Sequence, residues 1–509
     1  MRKILLLIFL AFFSLFSEQN LSGLESPKAQ VSQSVQEPAQ SKENLPKFKT
    51  LKIQVFQSYE EPTQGLYIPF KEVASRLFSY AGVTVVPDDS QNYEALLTIK
   101  VEGKALGRNY IKGGYLYTGA KMKGEVSLEV GGKLVREQVK IKVEPWDISP
   151  YEYTGWADPE IYKDPGRALA SYAFGYGESI TEEGTEPPPE MREAGVGIKL
   201  AKICYRFFGV KPLLLALTDE DPNISMIAGM GIASVKDPEA VLPLCEILKS
   251  RGKEDKLRPA LIYLLGELGD IRAEDVLMEA FNEEENEGIK NQIIVALGKI
   301  KSRKAVEPLI SLLNNEKTPI ERKEIIIESL GNIGDERAVE EIAKYLNTVE
   351  GGLRFTAIKA SGKIRSPRSA EVLISYINDK DIDIAYEARQ ALWRMGAEAI
   401  PVLFRELKKN KGLSEAIAEI FDKGIKDIKA IPYLLSALKE EDRMVREFAV
   451  TGLVSIGRPA IEPLIGFLEK EKDQTALRYA ASALRAITKQ DFGIDPTQWR
   501  QWFEENKGK

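Results

Sequence analysis

ALGKIKSRKAVEPLISLL at 296–313 and SLGNIGDERAVEEIAKYL at 329–346 are two copies of one unit. Each reads as the end of one helix, a short polar turn, and a second amphipathic helix. LLGELGDIRAEDVLMEAF at 264–281 and ASGKIRSPRSAEVLISYI at 360–377 share the frame. A small residue falls at Ala233, Gly266, Gly298, Gly331 and Gly362, at steps of 33, 32, 33 and 31 residues. The frame continues through Trp393, Lys423, Val454 and Arg485 and reaches back to Lys202, giving about ten helix pairs with degenerate outer members. Pro212, Pro243, Pro308, Pro401, Pro432 and Pro463 form a second, independent marker, with gaps close to multiples of one repeat. Each proline falls just inside a predicted second helix. There a missing N–H costs nothing, because first-turn amides have no partner within the helix. One such pair cannot bury its own apolar face. Stacking neighbours creates a continuous core, so the period predicts an α-solenoid.

The same frame makes finer predictions. The recurring small residue is expected to let the two helices of a pair approach closely. Arg322, Arg354, Arg389, Arg446 and Arg478 recur near the starts of first helices. They are expected to form a buried or half-buried polar ladder between repeats, paired with acidic residues such as Asp442; the competing reading is an anion-binding row.

LGNIGDERAVEEI at 330–342 and LGKIKSRKAVEPLISLL at 297–313 resemble HEAT repeats, of the short kind named after phycobilisome lyases. The resemblance covers about residues 200–490. It implies a fold and leaves function open. LRAITKQDFGIDPTQWRQWF at 484–503 resembles an ending common in such proteins, with Phe492, Trp499 and Trp502 closing the last repeat. Deoxyhypusine hydroxylase resembles the same architecture, but its di-iron centre uses His–Glu pairs, and this chain contains no histidine. Phycobilin lyases also resemble it, yet they act on cytosolic pigment proteins, which conflicts with the N-terminus of this chain.

That N-terminus, MRKILLLIFLAFFSLFS, pairs Arg2 and Lys3 with an apolar run from Ile4 to Phe16. The run is too short to span a bilayer and suits a signal peptide at 1–17, so an exported periplasmic or secreted protein is expected. Residues 18–47, rich in Ser, Gln, Glu and Pro, read as a disordered tether. Residues 48–145 read as a small α/β domain in the order strand, helix, then four strands, loosely resembling small α/β domains of envelope proteins. Its strands are TLKIQVFQ, VTVVP, YEALLTIKVEG, YLYTGAKMKGEVSLEV and KLVREQVKIKVEP, with a hairpin turn at Gly131-Gly132. Tyr110, Tyr115 and Tyr117 cover a sheet face or bind a partner. Residues 146–190 form a Pro/Gly/Tyr-rich linker, 191–490 the solenoid, and 491–509 a C-terminal cap. The fold class is therefore mostly α: a solenoid of about ten HEAT-like helix pairs preceded by a small α/β domain.

Composition narrows the chemistry. Without histidine there are no His general bases, no Ser–His or Cys–His nucleophile pairs and no His metal sites. Cys204 and Cys245 stand in apolar helical runs and read as two buried thiols, with a disulfide as the competing reading that an oxidising compartment permits. Residues 48–145 hold 14 Lys+Arg against 11 Asp+Glu, whereas 146–509 hold 51 against 61. An acidic solenoid does not suit nucleic acid, and beyond the N-terminus no segment is apolar enough for an integral membrane span. Asp491-Phe492-Gly493 lacks the other kinase motifs. Gly195-Val196-Gly197 and Gly229-Met230-Gly231 lack a dinucleotide context. Asp379, Asp381 and Asp383 begin like a calcium loop, but Ile384 and Gln390 stand where it needs Gly and Glu. Ser250 and Lys253 have Ser–Lys spacing without partner motifs.

The expectation is an exported non-enzymatic scaffold without a cofactor, binding a protein partner through outward positions of the second helices, which usually line the concave face of such solenoids: Glu307, Ser311, Glu340, Lys344, Glu371 and Ser375. One alternative is an enzyme or enzyme accessory of the HEAT-like lyase or oxidoreductase type. Another is an envelope ligand-binding protein acting through residues 48–145.

Overall fold

The computed structural model describes residues 45–60, 67–105, 108–111, 114–117, 120–143, 173, 195–348 and 351–507. The signal at 1–17, nearly all of the 18–47 tether and, Ala173 apart, the 146–190 linker lie outside them. The described chain divides into two compact units. One runs to Val276 with Asn286–Gln292, the other comprises Leu277–Glu285 and Ile293 onward.

The first unit opens with β1 (Thr50–Tyr59), α1 (Phe70–Ser79), β2 (Thr84–Val85), β3 (Ala95–Ala105), β4 (Arg108–Ile111), β5 (Gly114–Tyr117), β6 (Ala120–Val130) and β7 (Lys133–Val143). Five strands form one sheet in the order β2-β1-β3-β6-β7. β1 is parallel to both neighbours, while β3, β6 and β7 form an antiparallel meander. The alternation in the sequence sets the faces. Leu97, Ile99 and Val101 are buried on one, while Lys100 and Glu102 stand exposed on the other. Gly131 and Gly132, with φ of 55° and 75°, supply the left-handed pair that a tight hairpin requires. The expected single strand YLYTGAKMKGEVSLEV is divided: Gly114–Tyr117 pairs with Arg108–Ile111 in a separate hairpin, and only Ala120–Val130 joins the main sheet. The side chains of Tyr110, Tyr115 and Tyr117 lie outside the described residues.

Ten helix pairs follow. Their first helices are α2 (Val196–Phe208), α4 (Pro222–Val235), α6 (Arg258–Leu268), α8 (Glu287–Lys299), α10 (Ile320–Ile333), α12 (Gly351–Ile364), α14 (Ile382–Met395), α16 (Ser414–Asp422), α18 (Arg443–Ile456) and α20 (Gln474–Thr488). Their second helices are α3 (Lys211–Ala216), α5 (Val241–Ser250), α7 (Glu274–Glu283), α9 (Val306–Leu313), α11 (Val339–Ala343), α13 (Pro367–Leu373), α15 (Ile400–Lys409), α17 (Ile431–Ala437), α19 (Ile461–Lys470) and α21 (Pro496–Asn506). Turn chemistry repeats with the frame. Asp237, Asp270, Asp335 and Asp427 each accept a backbone N–H at the start of the 3-10 turn that leads into a second helix. All six marker prolines lie in the first turn of a second helix.

The sequence domain at 48–145 is completed by the solenoid. The inner sheet face is shared: α1 packs on β1, and α2 packs on β6 and β7. Phe48 meets Phe207 and Phe208 with ring centroids 5.6 and 5.0 Å apart. Arg76 of α1 reaches the fully buried carboxylate of Asp219 at 2.6 Å, which also accepts the Tyr80 hydroxyl at 2.8 Å. Glu137 of β7, only 11% exposed, takes Arg206 at 2.8 Å and Lys199 at 3.6 Å from α2.

The recurring small residues act between repeats. A Cβ on Gly331 would stand 2.7 Å from Ala360 Cα, and one on Gly362 would stand 2.6 Å from Ala391 Cβ. Gly298 faces Ser329 in the same way. At these three positions the expected close approach within a pair is thus corrected: the glycine seats its first helix against the next first helix. At the far end Trp499 is fully buried. It donates to Gly493 O at 2.8 Å and meets Phe492 edge-on at 4.9 Å.

Candidate functional site: the outward row of the second helices

Second helices of the second unit are tied to one another by a row of ion pairs. Arg337 binds Asp335 through two bonds of 2.9 and 3.0 Å and reaches Glu307 of the preceding repeat at 3.1 Å. Arg368 bridges Glu340 behind it and Glu371 on its own helix, the latter at 2.8 Å. Arg405 then takes Glu371 at 3.0 Å and Glu406 at 3.0 Å. Lys408–Glu440 at 3.1 Å, Lys439–Glu471 at 3.4 Å and Arg500–Glu469 at 2.8 Å carry the pattern to α21. The guanidinium groups of Arg368 and then Arg405 hold the Glu371 carboxyl below the usual carboxylate range. Lys409 and Arg405 do the same for Glu406.

Of the six positions expected from the sequence, Glu307, Glu340 and Glu371 join this row. Lys344 is exposed and turned to Glu341 of its own turn at 2.5 Å. Ser311 is exposed on α9, and Ser375 is exposed in the 3-10 turn that follows α13. Sequence reasoning missed Arg337, Arg368 and Arg405. For Arg337 the signal lay in GDERA at 334–338, which repeats GDIRA at 269–273. In both, the arginine folds back on the capping aspartate and donates to a carbonyl of the preceding repeat: Arg272 to Pro238 O at 2.8 Å, Arg337 to Arg303 O at 3.2 Å.

The arginines near the starts of first helices have a different task. Arg354 donates to Leu346 O at 2.6 Å, Arg389 to Ile377 O at 2.7 Å, and Arg446 to Glu440 O. These are carbonyls in the turns that leave the preceding second helices, three or four residues beyond Ala343, Leu373 and Ala437. Arg354 also pairs with Asp379 at 2.5 Å and Arg389 with Glu419 at 2.9 Å. Arg322 is buried. Two details of the expected ladder are corrected. Asp442 pairs with Lys411 and caps α18 through Met444 N, so it is not the partner of Arg446. Arg478 is exposed, because its position on α20 points away from the packed side. The aspartates that began like a calcium loop are structural: Asp379 holds Arg354, and Asp381 caps α14.

Cys204 and Cys245 are buried free thiols. Burial pushes the Cys204 thiol up to about 12. Among the described residues no single helix is long and apolar enough to cross a membrane.

A family profile described as HEAT repeats matches residues 210–292, 243–327, 321–393 and 396–485. Deoxyhypusine hydroxylase of Drosophila pseudoobscura pseudoobscura is 23% identical over 111 residues, which are 21% of this chain and 37% of that protein. Among solved structures, an engineered protein aligns at 18% identity over 71% of this chain and 91% of its own, with a TM-score of 0.31. The complex of CpcE and CpcF of phycocyanin lyase from Nostoc sp. PCC7120 aligns at 18% identity over 55% of this chain and 94% of its own, with a TM-score of 0.29. Human deoxyhypusine hydroxylase in complex with glycerol aligns at 16% identity over 58% and 99%, with a TM-score of 0.23. With the repeat profile matching more than half of its residues, the chain belongs to the HEAT-repeat family.

Proposed function

We propose that this protein is an exported, non-enzymatic scaffold that holds a protein partner along the outward row of its second helices. The observation that carries the reading is the continuity of that row. Glu307, Glu340 and Glu371 recur at one-repeat spacing; Arg337 pairs with Glu307, and Arg368 and Arg405 join Glu340 to Glu371, so the sign alternates from one second helix to the next. Exposed pairs of this kind add little to stability. A strip with both signs interleaved suits the patterned charge of a protein surface better than a polyanion. The leader-like residues 1–17 support export, and the lack of histidine supports a role other than acid–base catalysis.

The test is capture from native envelope extracts after cross-linking, comparing the tagged protein with a Glu340→Lys/Glu371→Lys variant. The expected result is a discrete partner held by the wild type and lost from the variant. Equal recovery by both proteins, or no partner at all, refutes the reading.

A further inference from the structure

The solvent face of the five-stranded sheet carries a feature that the fold does not need. The register places Lys104 directly opposite Lys121, and Lys121 directly opposite Lys142, so three lysines stand in one line across β3, β6 and β7. In the next line, Glu102 faces Lys123, and Lys123 faces Lys140. Like charges directly opposed on neighbouring strands destabilise a sheet, and Thr or Gln at these positions would remove the repulsion without touching the core. Among the described residues, the carboxylates on these two lines are Glu60, 3.6 Å from Lys104, and Glu102, 3.4 Å from Lys123, and the next line pairs Glu125 with Lys100. Both pairs are exposed, and the described residues of these two lines carry five ammonium groups and two carboxylates, in a chain of net charge -6.

Shape and residue type narrow the partner. The lysines spread over two dimensions on an open sheet face, with adjacent strands about 4.8 Å apart. They match a plane of negative charge better than a single phosphate or a linear strand. They are flexible, hydrated point charges rather than the planar forks that select one phosphate geometry. Phe56, 55% exposed, stands on the same face beside Lys100, an apolar group at the level where an interface would lie. We propose that this end of the sheet seats the protein on an anionic membrane surface.

The experiment is co-sedimentation of the full chain with phosphatidylcholine vesicles, with and without 30% phosphatidylglycerol. A Lys121→Gln/Lys140→Gln variant is compared in the same chain, so any contribution of the N-terminus cancels. With each lysine near an anionic surface worth about fivefold in affinity, the double variant should bind anionic vesicles about 25-fold more weakly. Wild-type binding should fall as salt is raised. Lys121→Arg/Lys140→Arg should keep the affinity, and Lys429→Gln/Lys470→Gln, on the solenoid, should not change it. The melting temperature of the first variant should be unchanged or raised, which separates lost binding from lost fold. Equal binding to neutral and anionic vesicles, equal binding by wild type and double variant, or no binding to anionic vesicles at low salt overturns the proposal. So does retention on heparin or duplex DNA without retention on vesicles, which would assign the face to a linear polyanion.

Discussion

Replacing Gly331 by alanine should destabilise the second unit, although the same change in an unobstructed helix stabilises. Gly331 lies inside α10, where alanine in place of glycine should gain about 1 kcal/mol through helix propensity. Against this, the added Cβ would sit 2.7 Å from both Cα and Cβ of Ala360 and 3.1 Å from its carbonyl oxygen. Two of those atoms are backbone and cannot turn aside, so α10 and α12 must separate along their contact. Overpacking of this kind costs about 1–3 kcal/mol, and here it is at the upper end because no flexible side chain can yield. The expected net effect is a loss of about 1–2 kcal/mol. Gly466, inside α19, is the control: a Cβ there meets nothing within 4 Å, so Gly466→Ala should gain about 1 kcal/mol. Urea unfolding followed by helical circular dichroism measures both, and the midpoints should move in opposite directions. Ala360→Gly added to Gly331→Ala removes only one of the three obstructing atoms and itself costs about 1 kcal/mol of helix propensity, so it should not restore wild-type stability. A Gly331→Ala variant as stable as Gly466→Ala would refute the claim that these glycines set the spacing of neighbouring first helices.

Three further outcomes follow from the first unit. Burial pushes the Asp219 carboxyl up, but bonds from Arg76, Asp221 N and Tyr80 outweigh it and hold it below its ordinary value; its stabilisation is therefore present above the unfolded pKa and lost as pH falls through the folded one. Asp219→Asn should cost about 2 kcal/mol near neutrality and much less in acid, as measured by denaturation across pH 2.5–7; a difference that does not shrink in acid would refute this. Residues 45–145 alone lack α2, so the inner faces of β6 and β7 lie bare and the fragment should bind a hydrophobic dye and self-associate, while the full chain should not; a monomeric, dye-silent 45–145 fragment would show the sheet to be self-sufficient. Cys204, fully buried with its thiol pushed up to about 12, should resist alkylation at neutral pH until urea unfolds the unit; rapid labelling of the native protein would contradict its placement.

The parts of this fold that were legible in the sequence are those set by local chemistry. Proline in the first turn of a second helix and Gly131-Gly132 between strands each act through their own backbone, so their spacing carries the element with it. The role of the glycines was read one contact short. Spacing reveals that Gly298, Gly331 and Gly362 recur, but not whether the close neighbour is the partner helix or the next repeat; Ser329, Ala360 and Ala391 decide that only once the stack is built. The arginine ladder was visible as a recurrence, yet its partners were sought among carboxylates such as Asp442. Carbonyls carry no sequence signal, and the turns after three of the second helices supply them to Arg354, Arg389 and Arg446. The outward row divides the same way. Glu307, Glu340 and Glu371 follow from helical phase, whereas Arg405 reaches Glu371 from 34 residues away, and the length of an arginine side chain makes several phases equivalent. Most remote of all from the linear pattern is the docking of β6 and β7 on α2. It joins segments separated by residues 144–194, and the only trace it leaves in the sequence is a glutamate, Glu137, standing where the alternation of β7 calls for an apolar residue. A charge in a buried register position is a question about a partner, and here the answer is Lys199 and Arg206.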